Sequence, residues 1–273
     1  MPDPLPAELS RAIAAASPRL GAFNRIQYFA DVDSTNDLAL SLAARGAPQG
    51  TVVLADAQRA GRGRQGRAWF SPPGAGLYLS VVVRPAVSSV LSLVTIAAGV
   101  AVVRGLSAAT GLSLELKWPN DVVIGRPWRK IAGILSESAS AGSQIDAVVV
   151  GIGVNLRRSA FPPEIADRAS AIDMETDRPV DAAACVIEIL AAMESMTKQL
   201  AAGDGIEVVN AWRGYGRSGF GAIVRWQDEQ GPRQGVARDI DGTGALVVEA
   251  DGRLERLVAG EVQWERLNRD GRL

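Results

Sequence analysis

Three short apolar runs decide the fold of the core: LELKWPNDVVIG (residues 114–125), RKIAGILSESAS (129–140) and IDAVVVGIGVNL (145–156). Each run has the length and the apolar content of a buried strand, and turn residues separate the runs. The GRPW sequence (125–128), which joins the first two, is typical of a hairpin connection. The region is therefore predicted to form three consecutive strands.

Further strands and helices are predicted around this region. Ser34 is expected to cap a helix, with Asp37 completing a capping box and Gly46 ending the helix. Residues 157–172 show no regular pattern. The other predicted helices cover 5–16, 89–111 and 180–202, and the other predicted strands begin at 25 and cover 51–58 and 76–85.

The composition of the chain changes near Gly214. Beyond it, short strand-like pieces alternate with Asp-Gly, Gly-Pro and Thr-Gly turns, which indicates a small barrel or sandwich. We therefore predict an α+β protein in three parts. These are an N-terminal extension (1–24), a main domain (25–214) and a small C-terminal β-domain (215–268).

Composition also limits the partners that the sequence favours. The 273 residues include 29 basic and 30 acidic side chains, so there is no global charge to attract DNA or an anionic membrane. Apolar runs such as 145–156 are too short to span a bilayer. The N-terminus carries acidic residues and prolines where a signal peptide carries basic charge. We therefore expect a cytoplasmic protein without a membrane partner.

The sequence excludes several classes of catalytic site. It contains no histidine, which removes the usual general base and metal ligand. Its single cysteine, Cys185, lies in a run with helical spacing and is expected to be a core residue. An enzyme of this composition must work by positioning and charge stabilisation, or its substrate must supply the nucleophile.

A glycine-rich loop, AGRGRQGRAWF (60–70), has the spacing Gly-x-Gly-x-x-Gly from Gly61 to Gly66. In a dinucleotide-binding turn the third glycine opens a helix, and an acidic residue follows about twenty residues later. Here two prolines follow within 67–80, and the later region reads RPAVSS (84–89). The nicotinamide interpretation is therefore excluded.

Four arginines lie in or beside this loop, at positions 59, 62, 64 and 67. Guanidinium groups bind carboxylate and phosphate in a bidentate manner, and glycines let the backbone approach a ligand closely. Taken alone, the cluster is compatible with an anion site and also with a solvated basic turn. It lacks the recurring aromatic residues of a nucleic-acid surface.

The other polar motifs are also ambiguous when each is taken alone. A plain helix cap accounts for DSTN, turn chemistry accounts for Pro-Asn-Asp, and a lone strand lysine usually faces solvent. As a set, however, they have the order and approximate spacing found in biotin–protein ligases, and the chain resembles that family from about residue 25 to residue 265. The motifs are DSTN (33–36), GRGRQGRAW (61–69), KWPND (117–121), RKIAGIL (129–135) and GIGVNL (151–156).

The resemblance implies a fold and a reaction. The fold is a mixed β-sheet packed with helices, the class II synthetase-like fold of biotin and lipoate ligases, followed by an SH3-like barrel. The reaction uses ATP and Mg²⁺ to join biotin to a lysine of a biotin carboxyl carrier domain through biotinyl-5′-adenylate, releasing pyrophosphate and then AMP. A lipoate or octanoate ligase is the alternative within this fold, although GRGRQGR and KWPND belong to the biotin branch. A non-catalytic biotin or adenylate sensor is a second alternative.

The same resemblance implies roles for individual residues. The residues implied in catalysis are Lys130, Arg64 and Arg67. Those implied in biotin binding are Ser34, Thr35, Asn36, Gln58, Arg62, Gly63, Arg64, Lys130 and Gly133. Those implied in ATP or adenylate binding are Arg64, Arg67, Trp69, Lys117, Asn120 and Asn155, with Asp121 as a Mg²⁺ ligand.

Some ligases of this family also repress transcription through an N-terminal winged-helix domain. About 25 residues precede the first core strand here, which is too few for that module. The resemblance is therefore to the monofunctional type, and no DNA partner is expected. The sequence does not decide between a monomer and a homodimer.

Overall fold

A computed structural model describes residues 1–84, 91–141, 144–228, 231–258 and 262–265. Within these ranges the chain forms two β-sheets and a set of helices. Three parts of the prediction lie outside the described residues: the strand end at Pro85, the first two residues of the predicted helix 89–111, and the last predicted domain residues, 266–268.

The larger sheet has seven strands in the order β1-β2-β3-β7-β6-β5-β4. The β1–β2 pair is parallel and the remaining pairs are antiparallel, so the sheet is mixed, as expected. Runs 129–140 and 145–156 form β6 and β7 as predicted, whereas run 114–125 forms two strands, β4 and β5, because it turns back on itself at residues 118–120. The strand bounds are β1 (Arg25–Val32), β2 (Thr51–Gln58), β3 (Gly76–Val83), β4 (Glu115–Lys117), β5 (Asp121–Ile124), β6 (Arg129–Ala141) and β7 (Gln144–Asn155).

Helices cover both faces of this sheet. Because side chains alternate along a strand, Val52 and Leu54 of β2 join the large core beneath α3 and α5, while Val53 packs with Ala39 and Ala43 of α2 on the opposite face. The helix bounds are α1 (Ala7–Leu20), α2 (Thr35–Ala44), α3 (Leu91–Thr110), α4 (Ile172–Glu175), α5 (Ala182–Ala201) and α6 (Gly205–Gly216).

Helix α3 corrects one expectation from the sequence. Its segment Ser92–Thr110 is long and apolar enough to cross a membrane, whereas the apolar runs were expected to be too short. In the structure, 72% of this segment is buried inside the protein, where α3 packs against α5 and α6. A helix that is buried on most of its surface is apolar all round for that reason alone.

Helix α6 is absent from the sequence-based prediction. Its glycines and its two adjacent valines have low helix propensity, which favours a loop by local criteria. The helix nevertheless buries Val208, Val209 and Trp212 as one apolar stripe, so tertiary packing overrides the propensity. It continues to Gly216, past the predicted boundary at 214–215, and that boundary stays a prediction.

The C-terminal sheet is antiparallel throughout, with the order β11-β10-β9-β8-β12. This arrangement is consistent with the expected small barrel-like domain. Its strands are β8 (Ile223–Asp228), β9 (Gly231–Ile240), β10 (Leu246–Ala250), β11 (Arg253–Leu257) and β12 (Gln263–Trp264).

Indole groups join the two sheets at the corner between β4 and β5. The Nε1 atom of Trp118, a residue that is 2% exposed, donates a hydrogen bond to the Gly244 carbonyl at 2.9 Å. Trp264 Nε1 donates to the Trp118 carbonyl at 3.1 Å, and Trp128 packs edge-on against Trp264. The C-terminal sheet therefore fixes the backbone of the KWPND corner.

We predict that Trp118→Phe lowers the free energy of unfolding by about 1–3 kcal/mol more than Trp128→Phe does. The first change leaves the Gly244 carbonyl without its buried donor, which has a cost of that size. Trp128 is the matched control, because its Nε1 is buried without a partner among the described residues. Urea unfolding of both variants measures the difference, and equal losses would contradict the role given to the Trp118 hydrogen bond.

Candidate functional site

A slot lies over the middle of the seven-stranded sheet, and glycines form part of its floor. Gly133 of β6 and Gly153 of β7 are directly paired in the sheet. A β-carbon added at Gly153 would lie 2.4 Å from Cε2 of Trp69, and one added at Gly151 would lie 2.4 Å from Oδ1 of Asn36. Both approaches are too close for any larger residue. The glycines of GIG and AGIL are therefore needed to admit Trp69 and Asn36 to the slot.

The start of α2 supplies one wall of the slot. Ser34 caps the helix by accepting a hydrogen bond from the Asp37 amide at 3.3 Å, as predicted, and this places Thr35 and Asn36 in its first turn. The Thr35 amide and hydroxyl donate to Gln58 Oε1 at 2.9 and 3.1 Å. Ser34, Thr35 and Asn36 are each less than 5% exposed. The wall therefore presents buried, uncharged polar groups that their partners already hold in place.

Two serines missed by the sequence analysis complete this wall. Ser80 of β3 is fully buried, and its Oγ lies 2.9 Å from both Thr35 Oγ1 and Asn36 Oδ1. Ser71 accepts from Gln58 Nε2 at 2.9 Å and donates to the Trp69 carbonyl at 3.0 Å. Ser80 could have been identified from the sequence, because a serine within an apolar strand is expected to be buried and a buried hydroxyl needs a hydrogen-bond partner.

The glycine-arginine loop folds back on itself above the slot. The Gly63 amide donates to the Arg67 carbonyl at 2.7 Å, and the Trp69 amide donates to the Gly61 carbonyl at 2.8 Å. A single 3₁₀ turn covers Arg64–Gly66, and no helix follows it. The loop thus lacks the helix start of a dinucleotide-binding turn, in agreement with the sequence analysis.

Two loop arginines contact elements on the far side of the slot. Arg62 forms a bidentate ion pair with Glu137 of β6, at 3.0 and 2.6 Å, and lies 2.6 Å from Asp37. Arg64 Nη1 donates to Asn120 Oδ1 at 3.2 Å. Glu137 was not predicted as a site residue. The sequence could have indicated it, because side chains alternate along a strand and Glu137 lies on the same face of β6 as Gly133 and Leu135.

The cationic end of the slot is built around Lys130. Its Nζ lies 2.5 Å from Asp121 Oδ1 and 5.2 Å from the centre of the Trp69 ring. The backbone of Lys130 is fixed as well, because its amide donates to the Arg168 carbonyl and its carbonyl accepts from the Ser170 amide. Asn155 Nδ2 donates to the carbonyls of Lys130 and Ser170, at 3.3 and 3.0 Å.

A second lysine lies beside this centre. Lys117 is paired with Asp121 across the β4–β5 hairpin. Burial lowers the pKa of the Lys117 ammonium, Asp121 opposes this shift, and the charge of Lys130 adds to it. Asn120 Nδ2 donates to the Ile134 carbonyl at 2.8 Å, which orients its amide between the corner and β6. Two cations and one carboxylate therefore converge here.

The structure brings most of the predicted site residues into one slot. Four of them do not line it. Asp121 and Lys117 lie next to Lys130, Asn155 lies behind it, and the side chain of Arg67 is exposed. The adenylate contact expected of Asn155 stays a prediction. The predicted residues that line the slot are Ser34, Thr35, Asn36, Gln58, Arg62, Gly63, Arg64, Trp69, Asn120, Lys130 and Gly133.

Two family models match the chain. The biotin/lipoate A/B protein ligase family matches residues 28–155, and the biotin protein ligase C-terminal domain matches residues 219–264. The first of these ranges contains the motifs of the slot, and the second covers most of the C-terminal sheet.

Individual relatives are similar over most of their length. The biotin–[acetyl-CoA-carboxylase] ligase of Paracoccus denitrificans is 34% identical over 85% of this chain and 98% of its own. The bifunctional ligase/repressor BirA of Bacillus spizizenii is 32% identical over 85% of this chain and 71% of its own. The solved biotin protein ligase from Aquifex aeolicus in complex with biotin and ATP superposes with a TM-score of 0.77, at 27% identity, covering 89% of this chain and 100% of that one. The chain belongs to the biotin protein ligase family.

Proposed function

We propose that this protein activates biotin with ATP and transfers it to a lysine of a biotin carboxyl carrier domain. The observation that carries the proposal is the composition of one slot, in which buried uncharged polar groups stand at one end and Lys130 at the other. Biotin has the same polarity, since its uncharged ureido ring and its carboxylate are joined by an apolar chain. The names of the similar ligases support the substrate and the carboxylase partner.

Each part of the slot suits one part of biotin. Thr35 and Gln58 supply hydroxyl and amide groups of the kind that hydrogen-bond a ureido group, with Ser34 and Asn36 beside them. Leu135 and the glycine floor suit the thioether ring and the alkyl chain. Lys130 suits the carboxylate, and the loop backbone from Arg62 to Arg64 covers the ligand.

In the first step, a carboxylate oxygen of biotin attacks the α-phosphorus of ATP. The new P–O bond replaces the bond to the bridging oxygen, and pyrophosphate leaves. Both reactants are anionic, so Lys130 and Arg64 lower the barrier by holding positive charge where the two meet. Arg67, which is exposed on the same loop, would assist at the phosphates, and Trp69 would offer an aromatic face to the adenine.

In the second step, the amine of the carrier lysine attacks the activated carbonyl carbon. The C–O bond to AMP breaks, an amide forms, and the amine gives up its proton. Both nucleophiles come from substrates, which fits a chain with no histidine and with its one cysteine, Cys185, buried in the core. The protein contributes position, charge and the exclusion of water.

The residues at the corner fit a Mg²⁺ ion that accompanies ATP. Such an ion takes one or two protein carboxylates and completes its shell with phosphate oxygens and water. Asp121 would be its ligand, with Asn120 and Lys117 at the triphosphate, and the ion would neutralise phosphate charge. No group of three or more His, Cys, Asp or Glu side chains that could hold a metal occurs in the described part of the chain.

Exchange of labelled pyrophosphate into ATP tests the first step and distinguishes biotin from lipoate. We expect exchange that depends on biotin and does not occur with lipoate or octanoate. Exchange with lipoate alone would assign the protein to the other branch of the fold. Biotin binding without any exchange would instead support the sensor alternative.

We predict that Lys130→Ala lowers biotin-dependent pyrophosphate exchange by at least about a hundredfold. Loss of the ammonium leaves two anions to repel in a site of low dielectric, and one preorganised electrostatic contact is worth about that much. Lys198→Ala is the matched control, because Lys198 is 74% exposed on α5 and pairs with Glu194. Near-normal exchange in folded Lys130→Ala would contradict the role of Lys130.

We predict that residues 60–70 gain protection from hydrogen exchange when biotin and ATP are added. Three glycines make the loop costly to order, and a bound anion would stabilise the ordered loop through the guanidinium groups that the loop carries. Amide exchange across 60–70, with and without the two substrates, measures the change. Equal protection in both states would show that the loop is a static turn.

We predict that Arg64→Gly increases the rate at which biotinyl-adenylate is released more than it decreases the rate at which the adenylate forms. The arginine side chain contacts Asn120 across the slot, so its loss loosens the closed loop. Adenylate released into solution can be trapped and quantified beside the rate of pyrophosphate exchange. A larger loss in the exchange rate than in adenylate retention would contradict this prediction.

We propose that the protein is cytoplasmic and that this chain does not read DNA sequence. Its net charge is near −1, so it has no long-range attraction to the phosphate backbone. Gel-shift titration against the promoter regions of biotin-related genes, with biotin and ATP present, is expected to give no salt-resistant complex. A tight complex with one particular sequence would contradict this proposal.

A further inference from the structure

Glu137 is the acidic side chain of β6 that faces the loop. It receives three contacts, from Arg62 Nη1 at 3.0 Å, from Arg62 Nη2 at 2.6 Å and from Asn36 Nδ2 at 2.5 Å. Glu137 lies on β6, whereas its partner Arg62 lies on the loop and its partner Asn36 lies on α2. The carboxylate therefore connects the roof of the slot to its floor and to its wall.

The contacts of Glu137 belong to a longer chain of hydrogen bonds that begins and ends on the loop. From Asn36 it continues through Ser80, Thr35 and Gln58 to Ser71, which donates to the Trp69 carbonyl. The slot wall is thus tied to the loop at two points, Arg62 and Trp69. The Arg62 connection carries charge, whereas the Trp69 connection is neutral.

We propose that Glu137 is a positioning residue that latches the glycine-arginine loop over the slot, and thereby sets how long biotin and its adenylate are retained. The inference rests on the proposed function of the slot. In this role Glu137 does not contact the reacting atoms and takes no part in the chemical step. The reacting groups would meet at the other end of the slot, beside Lys130 and Asn120.

The strength of the latch suits a loop that must open and close. The Arg62 and Glu137 side chains are 38% and 27% exposed, so solvent weakens the ion pair even though its geometry is bidentate. A weak ion pair offsets part of the conformational entropy that the three-glycine loop loses when it closes, and the loop can still open. The bound ligand then supplies the remaining stabilisation, and product release stays possible.

The charge of Glu137 is needed for this role, and its shape alone is not sufficient. Oε2 of Glu137 accepts from both Asn36 Nδ2 and Arg62 Nη2, and Oε1 accepts from Arg62 Nη1. A glutamine of the same size keeps one acceptor oxygen for the first two contacts but offers no acceptor to Arg62 Nη1, so the bidentate ion pair is lost. Its amide nitrogen would then face a donor, since Arg62 and the Asn36 amide nitrogen present only donors there. Asp37, which also contacts Arg62, would remain and would preserve part of the attraction.

The test compares Glu137→Gln with Glu188→Gln in the full chain. Glu188 is a matched control, because it accepts a bidentate pair from Arg19 at 2.8 and 2.5 Å away from the slot. We expect Glu137→Gln to increase the biotin dissociation rate and the KM for biotin about three- to tenfold, and to leave kcat for pyrophosphate exchange at saturating biotin within about twofold. Glu188→Gln should leave all three at the wild-type values.

A double-mutant cycle with Arg62→Gln establishes that the pair acts as a unit. Arg62→Gln also loses the ion pair with Asp37, so we expect it to have the larger single effect. The dissociation rate of Arg62→Gln/Glu137→Gln should match that of Arg62→Gln rather than the product of the two single effects. Arg62→Gln leaves β6 unchanged, so it tests the latch from the loop side if Glu137→Gln fails to fold. Wild-type dissociation from folded Arg62→Gln, additive effects, or a fall in kcat without a change in KM would each overturn the proposal.

These outcomes are separable from a failure of the proposed function. If the wild-type protein does not bind biotin, the function of the slot is wrong and the latch has nothing to retain. If the wild-type protein binds and activates biotin but Glu137→Gln releases it at the wild-type rate, the function stands and the latch is wrong.

Discussion

The placement of Lys130 between Asp121 and the Trp69 ring is the interaction on which the rest of the site depends. The reaction brings a carboxylate to a polyphosphate, and two unit charges 4 Å apart repel by about 4 kcal/mol at an effective dielectric constant of 20. The fold meets this cost with an ammonium on a central strand rather than on a surface loop. Contacts from Arg168, Ser170 and Asn155 hold the backbone of that strand residue, so the charge is in place before substrates arrive.

The C-terminal sheet contributes to the same end of the slot through the KWPND corner. Trp118 is buried against Gly244, and its neighbours in the motif, Lys117, Asn120 and Asp121, lie at the Lys130 end of the slot. A short turn between two strands is mobile unless something outside it fixes it. The C-terminal sheet fixes the turn between β4 and β5. It thereby supports the slot on the larger sheet, although its own strands do not line that slot.

Local patterns in the sequence were sufficient for much of the fold. Apolar runs located the central strands, and Ser34 and Asp37 located the start of α2. The site residues came instead from the resemblance of the whole motif set to biotin–protein ligases, and the structure gathers most of them in one slot. Local patterns failed where long-range packing decides. The low helix propensity of α6 is overridden by the burial of Trp212. The contact that gives Glu137 its proposed role is made with Arg62, which lies 75 positions away. Neither effect is visible in a window of neighbouring residues.

The mass of a purified biotin carboxyl carrier domain after incubation with this protein measures biotin ligation most directly. With biotin, ATP and Mg²⁺ present, we expect an increase equal to one biotinyl group, located on a single lysine. The increase should disappear when ATP is omitted and should not occur with lipoate. An unchanged carrier mass with folded protein and all substrates present, or an increase that occurs without ATP, would show that the protein is not an ATP-dependent biotin ligase.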